Sequence, residues 1–282
     1  TLATYRSITA SSYVKYLRGD LTNAPLVADD GTFNVGCYAE VRTQPKALFV
    51  SPTGDDNNDG HTEATPLQTL QVACDRAGSA AGYPDPVNEV VALPGVYEQG
   101  QRGYTGRVAT SYTSPYGDPR IQARVVVPAG VTLRSRDGAA STVIKGKRGT
   151  VNANDWGCGD DALRCAFLET GATVRGCTLT EGHSCTNMDS YYDDKLGGGV
   201  LGRNLRNCFV EDCEIANCSA PCGGGGAFAT FRRCVVHDNY APQYGSFFRH
   251  GQAFDCLVYD NRGNQVFDVF YDIVGCTFYA NL

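Results

Sequence analysis

The chain has 282 residues, a formal charge of −6 and a pI near 5.2, with 33 Gly, 13 Cys and a single Met. An acidic balance argues against a nucleic-acid-binding surface, which is ordinarily basic. No run of about 18 apolar residues occurs, so no membrane-spanning helix is encoded.

Residues 1–46 carry turn clusters and little periodicity, and Pro45 closes them. A strand is expected from Leu48, followed by a loop dense in Asp, Asn and Gly at 54–60. Asp55, Asn57, Asp59 and Gly60 alternate as in a calcium loop. The twelfth position is Pro66 where a Glu belongs, and no helix precedes, so a plain turn is the better reading. Thr65 and Pro66 have the chemistry of an N-cap and a first helical residue, and Leu67, Leu70, Cys74 and Ala77 share one face. A short capping helix is therefore predicted over 65–77. Strands are expected at 89–97, 124–133, 141–144 and 166–174, with polar excursions at 98–122, 145–164 and 182–196. The Gly runs at 197–199 and 223–226 fit coil corners and match no phosphate-binding motif.

From Gly197 the pattern repeats without a break. Cys213, Cys234, Cys256 and Cys276 are 21, 22 and 20 residues apart. Two residues after them stand Ile215, Val236, Val258 and Phe278, and five after them Cys218, Asn239, Asn261 and Asn281. Such a period, too short for two helices and rich in β-branched and aromatic residues, specifies a solenoid with one β-coil per repeat. The apolar residue three before each Cys and the Cys itself both need the interior. Side chains on a straight strand alternate, so a tight corner must lie just before each Cys. The Asn marks the next corner, where it is expected to take left-handed backbone and to bond between coils. With Cys177 the repeated cysteines form one column, read as buried thiols in preference to bridges. Cys158 and Cys165, which flank a loop, are the expected disulfide pair, and Cys185, Cys218 and Cys222 are further candidates for pairing between coils.

These stretches resemble the right-handed parallel β-helix proteins of the pectate-lyase-like superfamily, in the form found on large bacterial surface proteins. Phe49–Gly60, Thr65–Leu70 and Val91–Tyr97 are similar to that family's opening strand, capping helix and first coil. Val125–Ser135 with Thr142–Gly146, Gly171–Gly182 and the Cys/Asn coils match its body. The resemblance implies an all-β, right-handed single-stranded parallel β-helix over residues 47–282 with a short N-terminal capping helix. Residues 1–46 resemble the closing segment of a preceding module, and the chain breaks off inside a repeat, so a longer tandem-module parent is expected.

The leading expectation for function is an extracellular or cell-surface scaffold, adhesin-like or glycan-binding. The alternative is a polysaccharide-degrading enzyme, a uronate lyase ahead of a glycoside hydrolase. A lyase of the family uses a basic residue to take the proton beside a uronate carboxylate, often with calcium, and Asp193, Asp194 and Lys195 offer a base beside metal ligands. Three adjacent residues cannot all face one cleft, however, and these together with the other charged groups on the excursions, Lys145, Lys147, Arg148, Asp155, Asp160 and Asp161, are better read as solvated loop charge. Three residues after each Cys runs an outward column ending in His237, Tyr259 and Tyr279, whose rings suit a sugar or simply stabilise the sheet. Asp238 and Asp260 stack in the next position, where they would share a calcium ion or serve as turn residues.

Overall fold

A computed structural model of the protein describes residues 47–79, 87–104, 121–185, 192–204 and 206–282. The segment 1–46, with its reading as the end of another module, lies outside the described residues, as does most of the first excursion. The described chain winds as a parallel β-helix whose coils, after an opening strand and helix, contribute strands to three faces. The first face holds Leu48–Val50, Glu89–Ala92, Thr132–Ser135, Thr173–Arg175, Phe209–Glu211 and Thr230–Arg232. The second holds Gly95–Tyr97, Thr142–Lys145, Thr178–Thr180, Glu214–Ala216, Val235–His237, Leu257–Tyr259 and Thr277–Tyr279. The third holds Ile121–Val127, Arg164–Leu168, Val200–Gly202 and Gly226–Ala227. The long strands Phe248–Phe254 and Phe267–Val274 run through the corner between third and first faces and join them into one curled sheet. Pairing between coils is in register. Ile215 lies beside Leu179 and Val236, and Val258 beside Val236 and Phe278, so each apolar position of the repeat becomes a buried column.

The corner ahead of each Cys is where the odd spacing requires it. Gly176, Asp212, Arg233, Asp255 and Gly275 have φ of 65, 54, 51, 55 and 68°. At the next corner the left-handed residue is Glu181, Asn217, Asp238, Asp260 or Ala280, with φ between 50 and 57°. This corrects the sequence expectation, which put left-handed backbone on the Asn itself. The Asn is the residue after the bend, and its side chain repairs what the bend breaks. A left-handed residue turns the preceding carbonyl out of the sheet ladder and leaves it inside the coil without a strand partner. Asn239, Asn261 and Asn281 donate from Nδ2 to the carbonyl two residues back, at 2.9, 2.9 and 3.1 Å.

The cysteines solve the same problem at the other corner. The thiols of Cys213, Cys234, Cys256 and Cys276 donate to the carbonyls of Glu211, Arg232, Phe254 and Val274 at 3.1–3.4 Å. Cys218 stands at an Asn position and does the Asn's work with sulfur, donating to Ala216 O at 3.3 Å. That explains how a Cys interrupts the Asn column without a change of backbone.

The twelve described cysteines form no disulfide, and ten of them are buried. The expected Cys158–Cys165 bridge is therefore absent, because the two thiols face different neighbours. Cys158 Sγ lies 3.5 Å from Ser219 Oγ, whereas Cys165 Sγ points to Thr180 O at 3.2 Å and meets the thiol of Cys218. Gly182 and Gly199 of the intervening coil make the room those two thiols fill: a Cβ on Gly182 would lie 2.8 Å from Cys165 Sγ, and one on Gly199 3.2 Å from Cys218 Sγ.

The capping helix is Leu70–Gly78, later than predicted, with Thr69 as its N-cap. Residues 66–69 stay extended because Leu67 bridges Val50 and because the Asp56 carboxylate accepts from Gln68 N and Thr69 N, both at 2.9 Å. The helix closes the coil end through Gln71, whose side chain accepts from Val126 N at 2.8 Å and donates to Val126 O, taking the place of a neighbouring strand. The calcium-like loop is held by its own bonds. Asp55 accepts from Asn57 N, and Asp59 accepts from His61 N and Thr65 Oγ1, bonds that hold the Asp59 carboxyl below its ordinary value.

Candidate functional site

Two surfaces carry side chains whose chemistry is not used up by the coil. The first is the outer side of the second face. In-register pairing stacks His237, Tyr259 and Tyr279 with their rings nearly parallel, 5° between planes in both pairs, and centroids 4.8 and 5.0 Å apart. The spacing is that of stacked strands, so the sheet sets it. Both π-faces of Tyr259 are occupied by its neighbours, which leaves ring edges and hydroxyls to meet a ligand. His237 is half-buried, and its Nε2 and Nδ1 lie 3.1 Å from Glu214 Oε1 and 2.7 Å from Asp238 Oδ2. Burial and the phenol of Tyr279, with Glu214, Asp238 and Asp260, raise Tyr259 above the ordinary phenol range, so its hydroxyl stays a donor. Tyr279 is half exposed.

Asp238 and Asp260 occupy successive left-handed corners beside this column, one coil apart. Among the described residues no three His, Cys, Asp or Glu side chains converge as they would around a metal ion. Glu214 belongs to the surface although the sequence reading passed over it. It sits diagonally across from His237, one residue after its Cys, and only the register shows the two to be neighbours.

The proposed lyase residues lie elsewhere. Asp194 and Lys195 fall in a short 3-10 turn, Tyr192–Lys195, against the third face. Asp194 is buried, and its carbonyl accepts from Arg164 Nη2 at 2.5 Å and from Cys185 N at 3.2 Å. The structure describes only the backbone of Asp193. Lys195, the base of that reading, is half-buried on the same turn. Lys145 and Lys147 are paired with Glu181 and Asp161 at 3.1 and 2.8 Å, and Arg148 with the Asp155 carbonyl. Asp161 also accepts from Thr150 N and Val151 N. The Lys147 bond and these amide bonds hold its carboxyl far below the ordinary range, so it is a loop staple rather than loose charge.

The second is a polar knot under the 147–161 excursion that sequence reading missed, in which His183, Ser219 and Cys158 are buried and Trp156 is half-buried. Its members, His183, Ser219, Cys158 and Trp156, come from three separated segments with no shared motif. His183 Nδ1 lies 2.7 Å from Ser219 Oγ, which donates to Trp156 O at 2.6 Å. Trp156 packs edge-on against Tyr240 at 5.4 Å.

No family model matches the chain, and no curated protein does. Among solved structures it is similar to a GH136 lacto-N-biosidase from Eubacterium ramulus, at 13% identity and a TM-score of 0.38, over 77% of this chain and 42% of that one. It is also similar to XylC in complex with xylose, at 11% identity and a TM-score of 0.24, over 83% of this chain and 62% of that one. The chain thus spans about two fifths of the lacto-N-biosidase. Likeness at this level does not extend to substrate or activity.

Proposed function

We propose that the chain is a glycan-binding β-helix of the cell surface or extracellular space, and that its second face is the binding face. The observation that supports this reading is the column of His237, Tyr259 and Tyr279 with carboxylates of Glu214, Asp238 and Asp260 along its flank. Tyrosine hydroxyls that donate and carboxylates that accept complement sugar hydroxyls, and the ring edges offer apolar contact to C–H faces. The groups recur at the coil spacing, so the strip is linear and suits a chain of repeating polyols. Placement outside the cell rests on the resemblance of the repeats to the pectate-lyase-like surface proteins.

Affinity electrophoresis in gels containing neutral, amino and uronate polysaccharides tests the proposal. Retardation in at least one gel, lost in Tyr259→Ala but retained in Lys195→Ala, is the expected result. Release of unsaturated or reducing ends with wild-type protein, abolished in Lys195→Ala, would replace it with the enzyme reading. No retardation across the panel would refute glycan binding.

A further inference from the structure

The 147–161 excursion is a self-contained lobe. Gly149 N donates to Gly157 O at 2.8 Å and Asp160 N to Val151 O at 2.9 Å, so the lobe holds its own shape. Its ties to the coil gather at one corner, where Trp156 packs on Tyr240, Cys158 Sγ lies 3.5 Å from Ser219 Oγ and Cys185 Sγ lies 3.6 Å from Asp160 Oδ1. Trp156 O accepts from Ser219 Oγ, the Cys158 thiol donates to Ser219 O at 3.4 Å, and Gly159 N donates to Ser184 O at 3.2 Å. The lobe backbone lies hard on the imidazole, since a Cβ on Gly157 would be 2.8 Å from His183 Nδ1.

The proton inventory of this knot is fixed. Ser219 has one proton and gives it to Trp156 O, so His183 must donate from Nδ1 to Ser219 Oγ, and Nε2 is the unprotonated nitrogen. We propose that the lobe is an acid-released latch: protonation of His183 at Nε2 frees the 147–161 lobe from the coil corner and exposes Trp156, Tyr240 and Cys158.

The surroundings explain why a second proton is not tolerated while the lobe is closed. His183 is 6% exposed, and the charged groups that face it are Arg148 from the lobe and Glu181 from its own coil. Arg148 repels an imidazolium, while Glu181 is engaged by Lys145. The remaining titratable neighbour, Cys158, is kept protonated by burial. Burial and then Arg148 push His183 down from 6.5 to about 4. Because the closed value lies below the open one, closure is fully favoured above about pH 6.5 and is lost as the pH falls towards 4. Asp161, held far below the ordinary carboxylate range, keeps its charge through that window, so the lobe stays intact as it detaches.

Trp156 is the only Trp in the chain, which makes the latch directly observable. Intrinsic fluorescence with acrylamide quenching, followed from pH 8 to 3.5 beside far-UV circular dichroism, is the test. The expected result is a rise in quenching of the half-buried Trp156 with a midpoint between pH 6.5 and 4 while the β-signal is unchanged, matched by reaction of the fully buried Cys158 with 4,4′-dithiodipyridine. His183→Asn, which keeps a donor near the Nδ1 position, should abolish the transition. Arg148→Gln, which removes the repelling charge and so narrows the gap between the closed and open values, should move its midpoint to lower pH. An unaltered transition in His183→Asn, a transition coincident with loss of the β-signal, or no transition above pH 3.5 would each overturn the proposal.

Discussion

Replacing Asn261 by Ala removes more hydrogen bonding than any other single truncation along the Asn column. The side chain is fully buried and donates to Val236 O, Tyr259 O and Asn281 Oδ1 at 3.0, 2.9 and 3.0 Å. Its Oδ1 accepts from Asn239 N and Nδ2 at 3.1 and 2.9 Å. Asn239 Nδ2 keeps Ile215 O and His237 O after the change, so that group is not orphaned. Asn239 N and the corner carbonyl Tyr259 O lose these partners. At about 1–3 kcal/mol for each of these two buried polar groups left unsatisfied, the expected loss is roughly 2–6 kcal/mol, a large part of the 5–15 typical of a domain. Urea unfolding of wild type, Asn261→Ala and Asn281→Ala measures it. Asn281 is only half-buried and serves one neighbouring coil instead of two, so its loss should be smaller, about 1–3 kcal/mol from the orphaned Asn261 N. A loss below about 1 kcal/mol for Asn261→Ala, or equal losses at both sites, would refute the view that the Asn repairs the corner.

The same logic extends to neighbouring positions. Cys218→Asn should hold or raise stability because an amide can take over the thiol's bond to Ala216 O, whereas Cys218→Ala should lose about 1 kcal/mol; a difference scan by urea distinguishes them. Gly182→Ala places a Cβ 2.3 Å from Gly198 O as well as against Cys165 Sγ, and should cost at least about 2 kcal/mol by thermal unfolding. Gly130→Ala is the control, since its Cβ meets nothing within 4 Å and only the φ of 73° opposes it. In native protein at neutral pH, thiol titration should label the half-buried Cys185 and Cys276 quickly and the ten buried thiols of the described chain only after denaturant is added.

The architecture was legible in the sequence because a solenoid writes its period directly. The Cys interval, the apolar residue two after it and the odd spacing before it together require coils with a bend ahead of the Cys, and Asp212, Arg233 and Asp255 make that bend. The second bend was misplaced by one residue. Asn is a familiar left-handed residue, and nothing in the sequence reveals that Asp238 takes the strain while Asn239 takes the hydrogen bonds. The helix start was misread for a similar reason: Thr65-Pro66 has the local chemistry of a cap, but Asp56 and the Val50–Leu67 bridge hold that stretch extended. Local signals lose there to a contact that sequence does not display. The aromatic column was visible as a repeat, yet Glu214 joined it only through register, and the His183 knot is assembled from segments 36 and 63 residues apart.

A crystal structure of the protein soaked with an oligosaccharide from whichever polysaccharide retards it tests the central claim most directly. The account predicts sugar density along the second face, within hydrogen-bond distance of the Tyr259 or Tyr279 hydroxyl and of Glu214, Asp238 or Asp260. Density over the Tyr192–Lys195 turn on the third face, with the second face bare, would contradict it.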